Sequence, residues 1–233
     1  MRALVALALG ALLAGCAGTS YPRDRVKQAL DRGINKASPG LIVARELAFA
    51  RAAREDGQWT AFRAFAADDA VMFVPEPVNA REWLGKQEDP AEPVQWQPHQ
   101  VWMSCDGSLA VTKGAWQRSN GTFGYFTTIW ERQADGEYKW VLDQGDELDK
   151  SLDEPDIIQS TVADCGDPEK GDGVTLRSEE LTGRGDGASR DSSLTFDWAA
   201  YADGGRDLVV SLMKDNESKV ALTSSVVASN PAQ

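Results

Sequence analysis

Histidine is almost missing: His99 is the only one in 233 residues. That scarcity removes the His–Asp and Ser–His pairings on which most nucleophilic sites depend, and His-based metal sites with them. Cysteine is nearly as scarce. Cys16, Cys105 and Cys165 stand isolated with no Cys-x-x-Cys spacing, so no metal and no cofactor is expected. Positive charge is short: 24 Lys and Arg face 36 Asp and Glu, a formal net charge of −12. An acidic body lacks the basic groove a nucleic acid requires, and reads as a solvated surface. No segment has ~18 consecutive apolar residues, so no spanning helix is expected. No internal repeat is visible. Asp164, Asp167, Asp172 and Asp186 lie among glycines but lack calcium-loop spacing with its terminal Glu.

What is present starts at the N-terminus. Arg2 precedes an apolar run over residues 3–14, then Gly15 and Cys16. A short positive start, a brief apolar core and small residues before a cut describe a secretory signal over residues 1–15. Leu13-Ala14-Gly15-Cys16 resembles the lipobox of bacterial lipoproteins. The resemblance implies that Cys16 becomes the lipidated first residue of the mature chain. Two or more acyl chains then give stable attachment to a membrane. Ala17, where an Asp would retain the protein in the inner membrane, implies the periplasmic face of the outer membrane. Residues 16–40 form the lipidated tether, mildly basic over 21–36 and suited to an anionic surface or to docking as a short helix. Lipidation consumes Cys16 and leaves Cys105 and Cys165, which in an oxidising compartment read as a disulfide, with two buried thiols as the alternative.

Ser38-Pro39 opens the first element, Ser suiting an N-cap and Pro the first helical position. Residues 41–56 read as a helix with Ile42, Phe49 and Ala53 near one face, Arg45 and Glu46 beside it, and Gly57 as C-cap. Trp59, Phe62 and Phe65 mark a second helix. Residues 70–74 read as a strand, and 79–87 as a third helix with Trp83 and Leu84 on its apolar side. Beyond Pro93 the period changes to two, over 94–104, 109–118, 123–132 and 138–144. Asp106-Gly107, Asn120-Gly121 and Asp135-Gly136 separate these strands as hairpin turns. Two helices, a strand, a helix and a meander make an α+β class, one curved antiparallel sheet wrapped around helices.

The ordered pieces over residues 41–146 resemble the nuclear-transport-factor-2-like superfamily, and within it the SnoaL-like branch. They are the run 65–73 (Phe65 to Phe73), Trp96-Gln97-Pro98, the run 104–110 around Asp106-Gly107, Gly114, Tyr125-Phe126-Thr127-Thr128-Ile129-Trp130, and Trp140-Val141-Leu142-Asp143-Gln144-Gly145. The resemblance implies a cone-shaped domain over residues 41–150 with a pocket between helices and sheet. It also implies an isomerase, cyclase, dehydratase or non-catalytic role, since fold alone does not give function. Catalytic members move protons with an Asp, His or similar group in an apolar cavity.

The pocket lining expected is Phe49, Phe62 and Trp83 from the helices, Tyr125, Thr127 and Ile129 from one strand face, and Trp140 and Gln144 from the last strand. Strict alternation puts Tyr138, Trp140, Leu142 and Gln144 on one face. Aromatics here read first as core. No catalytic residue is assigned. Asp143 is the runner-up, and its simpler role is a strand-end carboxylate accepting backbone N–H bonds. His99 reads as a surface or edge residue. Arg184-Gly185-Asp186, between Gly183 and Gly187, reads as a solvated turn. Residues 151–233 read as a β-rich extension packed on the first domain, with runs over 157–163, 173–179, 194–201, 207–213 and 219–226 behind an acidic linker at 149–156.

The leading expectation is an envelope lipoprotein, membrane-attached through its lipid, whose cone binds a small apolar ligand or an envelope protein without catalysis. A homodimer is left open. A lyase or isomerase using a pocket carboxylate, and a structural protein with a filled cone, are the alternatives. A buried, unpaired carboxylate in an apolar cavity would favour the enzyme. A cavity without polar groups would favour binding.

Cys16→Ser is expected to abolish metabolic lipid labelling and to leave the protein soluble or unprocessed. Retained label with unchanged membrane partition would reject the anchor.

Overall fold

A computed structural model describes residues 37–166, 177 and 179–227. The signal segment, Cys16 and the tether up to residue 36 lie outside the described residues, as does most of the 173–179 run. No described helix is long and apolar enough to cross a membrane.

Helix α1 (Pro39–Glu55) buries Ile42, Glu46, Phe49 and Ala53, the stripe spaced by three and four residues. Pro39 starts it as expected, but Ser38 makes no side-chain capping bond, and its backbone N–H instead meets Met103 Sδ at 3.1 Å. Gly57, with φ +109°, turns the chain from α1 into α2 (Gln58–Phe65), a conformation L residues rarely adopt. Asp89 caps α2, accepting from Trp59 N, from Thr60 N at 3.0 Å and from Thr60 Oγ1 at 2.6 Å. β1 (Ala66–Phe73), β2 (Pro77–Asn79) and α3 (Ala80–Leu84) follow, with Asn79 Oδ1 capping α3 through Glu82 N at 3.0 Å.

The meander is β3 (Gln95–Met103), β4 (Leu109–Gln117), β5 (Phe123–Arg132) and β6 (Tyr138–Glu147). β7 (Gln159–Val162) then pairs parallel to β3, and β1 parallel to β6, giving the order β2-β1-β6-β5-β4-β3-β7. The first sheet therefore takes a strand from beyond residue 150. β8 (Leu181–Ala188), β9 (Leu194–Tyr201), β10 (Arg206–Lys214) and β11 (Glu217–Val226) form a second, antiparallel sheet in the order β11-β10-β9-β8.

Both faces of the first sheet are buried. Met103, Ala110, Trp130 and Trp140 pack against Ile42, Phe49, Ala53 and Ala61 of the helices. On the other face Trp102, Leu109, Val111, Ile129 and Leu142 meet Leu194, Phe196, Leu208, Val210 and Leu222 of the second sheet. Each large side chain fully buried this way stabilises by about 1.5–3 kcal/mol. The architecture is α+β: a curved sheet around helices, with a β-rich extension on its back.

Arg184-Gly185-Asp186 is not a turn; it lies within β8. Its glycines are required by β9. A Cβ at Gly185 would run into the Trp198 ring, and one at Gly187 into Phe196. A glycine-rich run reads as a turn until the neighbouring rings that demand it are known.

A short repeat joins the sheets. Ser104-Cys105-Asp106-Gly107-Ser108-Leu109 and Ser189-Arg190-Asp191-Ser192-Ser193-Leu194 form matching hairpin turns. In each, the Asp accepts from the first Ser hydroxyl, at 2.7 Å in both, and the first Ser oxygen accepts from the Leu N–H, at 3.1 Å in both. The turns then bond reciprocally, Cys105 N to Ser193 Oγ at 2.8 Å and Arg190 N to Ser108 Oγ at 2.9 Å. The Cys105–Cys165 disulfide closes beside them, with Cα atoms 5.2 Å apart across 60 residues.

Replacing Cys105 and Cys165 together by Ala is expected to lower unfolding free energy by about 2–4 kcal/mol, the loop-closure contribution for a link of this span. Urea denaturation measures it. An unchanged midpoint would mean that the other contacts of this loop already hold it closed.

Candidate functional site

Alternation sorts β5 cleanly. Phe126, Thr128 and Trp130 face the helices, and Tyr125, Thr127 and Ile129 face the second sheet. β6 does not alternate throughout. Ile129 pairs with Leu142 but Trp130 pairs with Trp140, so Val141 is an extra residue, a β-bulge. Tyr138 and Trp140 face the helices. Past the bulge Leu142 and Gln144 turn to the second sheet, and Asp143 turns inward.

Asp143 thereby joins the wall of a cavity of about 620 Å³ at the open end of the cone. Phe49, Gln58, Trp59 and Phe62 come from the helices, Met72 and Phe73 from β1, Trp96 from β3, Trp116 from β4, and Phe126 from β5. Size and lining suit a small, mainly apolar molecule. Arg118, Asp146 and Glu147 lie on the same wall, with Arg118 Nη1 paired to Glu147. Gly114 makes room for this arrangement: a Cβ there would meet the Gln97 carbonyl and the Phe126 ring.

The Asp143 carboxyl is half-buried and accepts one hydrogen bond, from Thr128 Oγ1 to Oδ2 at 2.7 Å. Among the described residues no backbone N–H donates to it, which departs from the strand-end role expected of it. Burial pushes its pKa up to about 7; the Thr128 bond opposes this, Glu46 adds to it, and Arg206 opposes it. Among the described residues no ion pair holds Asp143.

Glu46 lies behind, fully buried at 0% exposure. It accepts from Trp96 Nε1 at 2.8 Å, Thr112 Oγ1 at 2.7 Å and Trp130 Nε1 at 3.0 Å. Burial raises its pKa, and those three bonds pull it back. Glu46 also positions the cavity wall, because it holds the Trp96 indole against Phe49 and Phe62, with ring centroids 4.9 and 5.7 Å apart. The sequence signal for it was slight: a charged residue between Ile42 and Phe49 on the apolar stripe.

Of the residues expected to line a pocket, the structure places Phe49, Phe62 and Gln144 at the cavity. The Gln144 amide itself is engaged with the second sheet. Tyr125, Thr127 and Ile129 lie on the opposite face of the sheet. Trp140 is completely buried core, its Nε1 bonded to Phe62 O at 3.1 Å. Trp83 stacks edge-on against Trp59 at 5.5 Å, outside the lining. His99 sits at a separate bulge in β3, beside Leu152 and Glu154 in a smaller cleft. Partial burial lowers its pKa. No group of three or more His, Cys, Asp or Glu among the described residues could hold a metal ion.

No family model matches the sequence, and no curated protein matches it. Solved structures are similar over about half of the chain, the following three among them. A candidate ketosteroid isomerase from Parabacteroides distasonis shares 16% identity over 50% of this chain and 97% of its own, with a TM-score of 0.39. A candidate aromatic ring hydroxylase from Novosphingobium aromaticivorans shares 15% over 48% and 91%, with a TM-score of 0.35. A conserved protein from Planctomyces limnophilus shares 14% over 53% and 99%, with a TM-score of 0.34.

The raised Asp143 pKa fixes a sign for stability. A carboxyl that favours its neutral form in the fold stabilises fully below the ordinary value of 3.8, progressively less as pH rises, and not at all above about 7. Asp143→Asn cannot ionise, so it is expected to gain stability relative to the native protein across that window and to hold a constant difference outside it. Urea denaturation of both proteins at pH values spanning the window measures this. A difference that stays flat would mean that Asp143 ionises as it does in the unfolded chain.

Proposed function

We propose that the cavity binds a small, mainly apolar molecule and that Asp143 exchanges a proton with it, as in an isomerase or lyase. The observation that carries this is the Asp143 carboxyl itself: half-buried, held among the described residues by Thr128 alone, set among aromatic rings, with a pKa of about 7. A group of that proton affinity takes up and gives back a proton at neutral pH. A ligand with a C–H bond beside a carbonyl would lose the proton to the Asp143 carboxylate while the electron pair moves to the carbonyl oxygen. Gln58, whose Oε1 accepts from Val94 N at 2.8 Å, leaves its amide NH2 as a neutral donor on the same wall. Return of the proton to a different carbon completes an isomerisation. Departure of a leaving group from the neighbouring carbon completes an elimination. Lipidation at Cys16 would hold this domain at the envelope membrane.

Binding alone is the second reading, favoured by a wall built largely of Trp and Phe rings, with Asp143 serving only to anchor a ligand hydroxyl or amine. The two readings separate in D2O with unsaturated and keto-containing small molecules as probes. Proton transfer predicts deuterium entering a carbon beside the carbonyl, with the rate falling at least a hundredfold in folded Asp143→Asn, the usual weight of an acid–base group. Binding that persists with no deuterium uptake in the native protein would reduce the function to capture.

A further inference from the structure

Arg206, on β10 of the second sheet, is 8% exposed and points at the back of the cavity wall. Its Nε donates to Gln144 Oε1 at 3.0 Å, its Nη2 donates to Gly145 O, and its guanidinium lies 5.3 Å from the centre of the Phe73 ring. Gln144, Gly145 and Phe73 all line the cavity. Gln144 Nε2 continues to Ser224 Oγ at 2.9 Å, and Ser224 Oγ to Tyr125 OH at 2.9 Å, so the contact is a hydrogen-bonded seam between the sheets. Among the described residues no carboxylate touches Arg206. Burying an unpaired guanidinium is costly and leaves a field that acts over several ångströms.

We propose that Arg206 makes the second sheet a working part of the cavity, as a positioning residue that clamps β6 at Gln144 and Gly145 and supplies the positive charge that Asp143 senses through the sheet. The proposal rests on Asp143 being the proton-exchanging group. The ionisable groups around it are few. Glu46 on α1 opposes ionisation of Asp143 and Arg206 favours it, while burial works against the charge on Arg206 and Tyr125, Asp146 and Asp143 partly support it. Lys113 lies over the Tyr125 ring at 5.5 Å, and Arg118 is engaged by Glu147. Arg206 is thus the one cation among these whose effect on Asp143 is felt. Removing its charge leaves Asp143 with burial and Glu46 both favouring the neutral acid.

The experiment reads the free protein, so it does not depend on a ligand or on turnover. Carbon-13 NMR follows the Asp143 carboxyl through pH in the native protein, in Arg206→Gln and in Arg206→Lys. The expected result is an upward shift of the midpoint on the order of one pH unit in Arg206→Gln, with most of it recovered in Arg206→Lys. A midpoint unchanged in folded Arg206→Gln overturns the proposal. Should that variant fail to fold, the native protein decides: the Arg206 Nε–H resonance is expected to inflect at the Asp143 midpoint and to lose that inflection in Asp143→Asn. An Arg206 signal indifferent to Asp143 overturns it equally. A coupled titration without any deuterium exchange on ligands would leave the Arg206 role standing and remove only the catalytic one.

Discussion

A single extra residue in β6 decides what the cavity contains. If the strand alternated from Tyr138 to Gly145 without interruption, Leu142 and Gln144 would share the face of Trp140, and Asp143 would be driven between the two sheets. Val141 interrupts the count. A bulge costs one ladder position and increases local twist, and in return re-aims every side chain beyond it. Here it exchanges the two faces at the point where the sheet leaves the packed part of the cone. Before Val141 the inward residues, Trp140 and Tyr138, are core. After it the inward residue is a carboxyl, and the outward residues, Leu142 and Gln144, belong to the contact with the second sheet.

That exchange explains why the second sheet is needed. The outward face of the meander carries Trp102, Leu109, Val111, Ile129 and Leu142, an apolar surface that water would otherwise meet. Over most of its area the second sheet answers with Leu and Val. At the end beyond the bulge it answers with Arg206 and Ser224, which satisfy Gln144, Tyr125 and the Gly145 carbonyl. The apolar part supplies cohesion without direction. The polar part is directional, since a buried amide or guanidinium left unpaired is expensive, so it specifies how β10 and β11 lie across β5 and β6.

How much of this could be read in the sequence depends on the range of the interactions. The helices and the four meander strands were legible because their signals are local: the stripe from Ile42 to Ala53, the alternation after Pro93, and the Asp-Gly and Asn-Gly turns. The cysteine pair was legible by counting. The bulge was not, because Val141 is an extra residue only relative to the register of β5, and strand pairing is a property of two segments. The same reason turned β8 into an expected loop, its glycines answering rings on β9. Glu46 was read as flanking its helix face because its three partners lie 50, 66 and 84 residues away. Asp143 is singled out by family pattern, yet its hydrogen-bond partner is not legible, because a carboxyl at a strand end and a carboxyl past a bulge look alike in one dimension.

Glu46 gives the interior a second carboxyl, one that does not line the cavity. All three groups around it can donate, and together they suit an ionised carboxylate. Thr112 can also reverse its part. Its Oγ1 lies 2.7 Å from Glu46 Oε2 and 3.4 Å from the Thr128 carbonyl, so a protonated Glu46 can donate to Thr112 while Thr112 turns its hydrogen to Thr128. The network therefore accommodates either charge state with its heavy atoms in place. Only the charged state burdens Asp143, which Thr128 holds through its hydroxyl. Two acids that repel through an apolar core do not both ionise at the same pH. Asp143 has the open cavity on one side and Arg206 behind the sheet; Glu46 has neither. Asp143 thus faces the cavity, while Glu46 holds the Trp96 indole in its wall and the Trp130 indole in the core behind it.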